Sequence, residues 1–142
     1  MPDTYNLQRF LQAQENTYQT ALAEIRNGRK RSHWMWFIFP QMAGLGFSET
    51  SQFYAIKSIA EATAYLNHPI LGKRLVEISE ALLTINDKSA NQVFGSPDDM
   101  KLKSSMTLFA AVSDGNPVFR KVLETYFNGQ EDTKTIQLLS TG

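Results

Sequence analysis

The sequence contains no cysteine. That absence removes disulfides, thiolate nucleophiles, iron–sulfur clusters and cysteine-ligated zinc together, and it fits a reduced compartment. Net charge is missing as well: 14 Lys+Arg offset 14 Asp+Glu. Overall charge therefore gives no reason to expect nucleic acid or an anionic membrane as partner. The 2 histidines, His33 and His68, stand far apart, without metal-ligand spacing, so no metal is expected. No Gly-x-Gly-x-x-Gly, Gly-x-x-x-x-Gly-Lys-[Ser/Thr] or Gly-x-Ser-x-Gly occurs, and no cofactor is expected. The longest apolar run, Trp34 to Phe39, is far short of the ~20 residues that span a bilayer. Asn6, Gln8 and Arg9 interrupt the first ten residues, so no apolar leader is read there and the cytoplasm is the expected location.

What is present reads as one domain. The 142 residues, 42% hydrophobic and 20% charged, suffice for a buried core, and neither repeat nor long linker divides 1–142. Helix signals dominate. Leu7, Phe10 and Leu11 form one apolar stripe, and Tyr18, Leu22 and Ile25 another, with a break expected near Glu15 and a capping box at Asn16 and Gln19. Gly28 suits the end of the second helix. Ser58 with Glu61 starts a helix through Leu66, and Asn67-His68-Pro69 starts the next, with Ile70, Leu71, Leu75, Ile78 and Leu82 on one face. Ser96-Pro97-Asp98-Asp99 places a cap, a proline and two acids at a helix start, ahead of Leu102, Met106, Phe109 and Ala110. Asn116-Pro117 opens another helix, which Gly129 closes, and Asp132 caps a last short one. The expectation is a mainly α single domain of about seven helices.

Residues 33–39 break this grammar. Both faces of the segment are apolar, so it is buried in either conformation. Its aromatic and β-branched content favours a short strand, with a two-stranded ribbon between 34–38 and 53–56, and a buried helix is the other reading.

Two features can carry chemistry. The first is the basic run Arg26, Arg29, Lys30 and Arg31 leading into Ser32-His33-Trp34. Cations beside aromatics suit a phosphate with an attached ring, although cations also complement a helix end. His33 can act as general acid or base, or simply bond to backbone at the edge of the core. Trp34 and Trp36 can stack on a ligand, but at least one is expected in the core. Gly44-Leu45-Gly46-Phe47-Ser48 reads as a turn or as a loop offering N–H groups to an anion. The second feature is Asp98 to Thr107. On a helix Asp98, Lys101 and Ser105 share a face, with Ser104 beside them and Leu102, Met106 and Phe109 opposite. Adjacent serines are poor helix-interior residues, and such a local inconsistency points to a site or to close packing.

The run Arg31-Ser32-His33-Trp34-Met35-Trp36-Phe37-Ile38-Phe39-Pro40-Gln41 resembles domain-of-unknown-function family 1810, whose members are often labelled calpastatin-like. Tyr54-Ala55-Ile56, Tyr65-Leu66, Pro69-Ile70-Leu71-Gly72 and Lys101 to Phe109 extend the resemblance over nearly the whole chain. It implies a small, mainly helical domain. The calpastatin label does not suit a compact, non-repetitive chain. A remoter similarity to the NADAR group, which handles ADP-ribose and its N-glycosidic bonds, implies a nucleotide-like ligand. Glu49, Phe53-Tyr54 and Lys57 echo that group's glutamate, aromatic pair and lysine, with the glutamate out of register and no catalytic role assigned to it.

Together these readings give an expected pocket where the two segments meet. His33, Asp98 and Lys101 are its catalytic candidates; Arg31, Trp36, Gln41, Tyr54, Ser104 and Ser105 are its ligand-binding candidates. The expected ligand is a phosphorylated, nucleotide or ADP-ribose-like small molecule, with N-glycosidic hydrolysis as the reaction. Asp98 would supply the carboxylate, His33 or Lys101 the proton, Arg31 the phosphate contact and Trp36 the stacking face. The alternative is a non-catalytic protein interaction module using the basic Arg26–Arg31 edge.

Overall fold

The computed structural model describes residues 4–85, 87–113 and 116–141 and shows a mainly α fold of ten helices, with no strand among the described residues. Four lie before residue 58: α1 (Gln8–Gln14), α2 (Tyr18–Arg26), α3 (Met35–Ile38) and α4 (Glu49–Phe53). Six follow: α5 (Ile59–Asn67), α6 (Leu71–Leu82), α7 (Ala90–Phe94), α8 (Asp98–Val112), α9 (Val118–Phe127) and α10 (Thr133–Thr141). None is long and apolar enough to cross a membrane.

The central element is α8, which packs against α5, α7, α9 and α10. Leu102 and every residue from Ser104 to Phe109 are buried. The expected division into a polar and an apolar face therefore fails: a helix surrounded by neighbours has no solvent face along its middle. Adjacent serines are accommodated because they are small at close packing. Ser104 Oγ donates back to the Met100 carbonyl at 3.2 Å. Around α8, α6 packs on α2, α5 and α9, and α1 packs on α3.

Several helix ends follow local chemistry. Past α2, the N–H of Gly28 bonds to the Ile25 carbonyl and that of Arg29 to the Glu24 carbonyl, with Gly28 at φ 79°. This is a Schellman closure, which needs a left-handed residue at that point. Ser58 Oγ caps α5 through the Glu61 N–H, Asn116 Oδ1 accepts from Val118 N–H at the start of α9, and Asp132 accepts from Thr135 at the start of α10. Beyond α9 the left-handed C-cap is Asn128, with Gly129 following it.

Other boundaries differ from the sequence reading. The break near Glu15 is present, but α2 begins after Thr17 with no side-chain cap, so Asn16 and Gln19 form no capping box. Asn67 ends α5 instead of starting the next helix. The residue that opens α6 is His68, whose Nδ1 accepts from the N–H groups of Ile70 and Leu71. Ile70 thus precedes α6 instead of lying on its face, and is 44% exposed. Helix α8 begins at Asp98, after a cis Ser96–Pro97 bond, with no side-chain cap from Ser96. The Pro97 carbonyl accepts from Met100 and Lys101 instead.

The expected ribbon is absent. Met35–Ile38 is one helical turn, and residues 49–53 are helical too. The turn buries Trp34, Met35, Ile38 and Phe39 together while Trp36 and Phe37 stay half-buried. Pairing begins only beyond Pro40, as a single parallel bridge of Met42 with Ile56, where Ile56 N–H meets the Gln41 carbonyl and Ala43 N–H meets that of Ile56.

Two buried polar side chains tie the early helices down. Gln14 Nε2 donates to the Phe37 carbonyl at 2.8 Å and to the Tyr65 hydroxyl at 3.0 Å, which fixes α3. Arg9 donates to the carbonyls of Tyr5, Asn6, Phe53 and Ala55 and pairs with Glu61 at 2.5 Å. Both side chains of that pair are almost fully buried, 6% and 4% exposed. Removing one partner of such a pair strands the other charge away from water. Glu61→Ala and Arg9→Ala should each lower the unfolding free energy by about 3–5 kcal/mol, read by urea denaturation.

Candidate functional site

The site is built outward from Glu24, a buried carboxylate on α2. Its Oε1 accepts from the backbone N–H groups of Arg31 (2.7 Å) and Ser32 (3.0 Å) and from Trp34 Nε1 (2.9 Å). Its Oε2 accepts from Ser32 Oγ at 2.5 Å. Burial by itself raises the pKa of this carboxyl. The Ser32 hydroxyl, the two backbone N–H groups and the indole outweigh it and hold the pKa at about 2. Four donors on one anion fix residues 31–34 against the end of α2.

With the backbone so held, the Lys30 side chain turns inward. Its Nζ donates to the Ser32 carbonyl at 2.5 Å, lies 5.0 Å from the Trp34 ring centre and meets Asp98 Oδ2 at 2.9 Å. Lys101, one turn into α8, meets Asp98 Oδ1 at 3.1 Å and lies 4.4 Å from the Trp36 ring centre. One carboxylate is thus shared by two ammonium groups, each resting on an indole face. Burial pushes the Asp98 pKa up, but bonds to Lys30 and Lys101 and their charges push it further down, so Asp98 is ionised. Beside this triad opens a cleft of about 150 Å³, lined also by His33, Met35, Phe37 and Thr50. His33 is exposed and Trp36 half-buried, whereas Trp34 is core at 1% exposure.

Four of the nine residues expected in a pocket therefore meet at this cleft: His33, Trp36, Asp98 and Lys101. Five line other surroundings. The Arg31 side chain is exposed, and its backbone N–H is engaged by Glu24. Tyr54 packs among Phe10, Phe37 and Phe53. Ser104, Ser105 and Gln41 are buried, and Ser105 Oγ and Gln41 Nε2 have no hydrogen-bond partner among the described residues. Sequence reasoning missed Lys30 as a cleft residue, although it stood in the basic run. Glu24 and Thr50 carried no signal.

The larger cavity, about 680 Å³ between α5, α6 and the end of α8, lies elsewhere. Its charged residues Lys73, Glu77 and Glu80 are exposed, and Glu77 accepts from the Tyr18 hydroxyl. Volume favours that groove, but a lysine side chain only 7% exposed marks the smaller cleft. No cluster of metal-ligating side chains occurs among the described residues.

Residues 4–139 match the family described as Protein of unknown function (DUF1810). The chain belongs to the DUF1810 family. It is similar to the conserved hypothetical protein Rv1873 from Mycobacterium tuberculosis, whose crystal structure shares 47% identity with a TM-score of 0.96. That match covers 97% of this chain and 99% of the mycobacterial one. No curated protein matches the chain. These findings support DUF1810 and do not extend to the NADAR group.

Two predictions concern this DUF1810 site. Because the Glu24 pKa is lower folded than unfolded, its contribution is complete above the unfolded value of 4.5 and is lost as pH falls through about 2. Between pH 5 and pH 2 the wild type should lose about 3 kcal/mol more stability than Glu24→Gln, read by denaturation at each pH. The second concerns Gly46, where a Cβ would lie 2.6 Å from Ser51 Cβ and 2.8 Å from Trp36 Cη2. Gly46→Ala should displace Trp36, shift the tryptophan emission and cost about 1–3 kcal/mol in thermal unfolding.

Proposed function

We propose that the cleft between residues 30–37 and the first turns of α8 binds a phosphorylated, ring-bearing small molecule of the nucleotide or ADP-ribose type. The observation that supports it is the shared carboxylate: Asp98 holds Lys30 and Lys101 at 2.9 and 3.1 Å with each ammonium close to a tryptophan face. Two cations against one anion leave a positive balance, and the Arg31 side chain and His33 are exposed close by in the chain. A phosphate takes donors from both lysines at once. Drawing Lys101 away from Trp36 frees an indole face for a ring.

The same arrangement supports chemistry at a glycosidic carbon. Cleavage there builds positive charge on the sugar, which an ionised carboxylate stabilises. Asp98 is ionised, so its role is electrostatic rather than that of a proton donor. His33, exposed at the cleft, donates the proton that the leaving group takes as the glycosidic bond breaks, and water adds to the sugar carbon to complete the hydrolysis.

Thermal unfolding tests the reading. ADP-ribose at ~100 times its dissociation constant should stabilise the wild type by about 2.7 kcal/mol, a shift of several degrees. Lys101→Met, folded by circular dichroism, should lose that shift. Release of ADP-ribose from ADP-ribosylated nucleobases or proteins, abolished by Asp98→Asn, would establish turnover. If nucleotides, NAD and sugar phosphates all leave the melting temperature unchanged, the basic edge is the better reading. Arg26, Arg29 and Arg31, all exposed around the end of α2, would then form a contact surface for a protein.

A further inference from the structure

We propose that Phe47 forms a second stacking face of the cleft, so that the site selects phosphates carrying an aromatic base over plain sugar phosphates. This rests on the ligand reading above.

The first support is size. A cleft of about 150 Å³ is half the lower bound of roughly 300 Å³ typical of small-molecule pockets. It can enclose a phosphate or a single ring, and the rest of a nucleotide must lie across the rim. Part of that rim is the turn before α4. Gly46 lies so close to Trp36 that an added Cβ would stand 2.8 Å from the indole Cη2, and Thr50 lines the cleft itself. Phe47 sits between these two contacts, one residue beyond the first and three before the second.

The second support is the state of the Phe47 side chain. It is 86% exposed, the most exposed of the large hydrophobic side chains among the described residues. Its backbone is nevertheless anchored. The Phe47 carbonyl accepts from Gln52 Nε2 at 3.0 Å, and Ser48 caps α4 through the Ser51 N–H at 3.1 Å. A fixed backbone, next in sequence to the glycine that abuts Trp36, holds an aromatic ring in water, and that apolar area gains only when something covers it. A nucleobase has two faces, and Trp36 can take one of them.

The test compares two phosphates that differ by the base: AMP and ribose 5-phosphate, titrated calorimetrically into the wild type and Phe47→Ala. With its side chain in solvent, Phe47→Ala should melt like the wild type. The expected result is tighter binding of AMP than of ribose 5-phosphate by the wild type. Phe47→Ala should lose about tenfold in AMP affinity, with ribose 5-phosphate unchanged and Phe47→Tyr restoring AMP. Equal AMP affinity in wild type and Phe47→Ala would overturn the role of Phe47 and leave the cleft reading standing. So would an equal loss for both ligands, or tighter binding of ribose 5-phosphate by the wild type. A wild type that binds neither phosphate, and is not stabilised by ADP-ribose, would overturn the cleft reading and this inference with it.

Discussion

A carboxylate taken out of water has to be given donors, and the four on Glu24 all come from residues 31–34. That requirement shapes the rest of the cleft. It bends the chain back onto α2 directly after the Schellman turn at Gly28. It plants the Trp34 indole in the core with its N–H satisfied, and it leaves Lys30 pointing at α8. The short turn of α3 then continues from a fixed start. Gln14 holds the far end through the Phe37 carbonyl. The aromatic segment is thus pinned by two polar side chains, one at each side, between which its apolar rings pack.

Asp98 complements this arrangement from the opposite element. An acid in the first turn of a helix is favoured by the macrodipole whatever else surrounds it. Here it also receives Lys30 from the 31–34 side and Lys101 from its own helix. Neither lysine could be sunk this deep alone, because an ammonium without partners keeps its water. The tryptophan faces supply the remaining contact. An anion that entered the cleft would compete with Asp98 for these ammonium groups, so its binding would be coupled to rearrangement of the triad.

The helical class, the family and the starts of α5, α9 and α10 are legible because they depend on neighbours in sequence. Ser58, Asn116 and Asp132 act on N–H groups two or three residues away, and Gly28 on its own backbone. The ribbon was misread because aromatic and β-branched content measures fit to a half-buried surface, not a backbone preference. Once Trp34, Phe39 and Phe94 pack together, a helical turn buries the segment more completely. At the cleft, the nearness of Asp98 and Lys101 is legible from helical spacing, and that of Trp36 and His33 from the basic-aromatic run. That Lys30 and not Arg31 lines the cleft is not legible, because the backbone there is held by Glu24, a residue with no marked pattern of its own. Tyr54, Gln41 and the two serines were chosen for their segment and polarity, but their burial depends on distant elements.

Arg9 joins pieces of chain that are 44 to 52 residues apart in sequence, the carbonyls of Phe53 and Ala55 and the carboxylate of Glu61, to those of Tyr5 and Asn6 beside it. Its guanidinium acts as a junction where a sheet would use a whole neighbouring strand. Neither the first helix nor the connection between α4 and α5 can open by itself without stripping acceptors from a buried cation. The two segments therefore form one cooperative unit, and their amide protons should share a single exchange rate regime rather than fray independently.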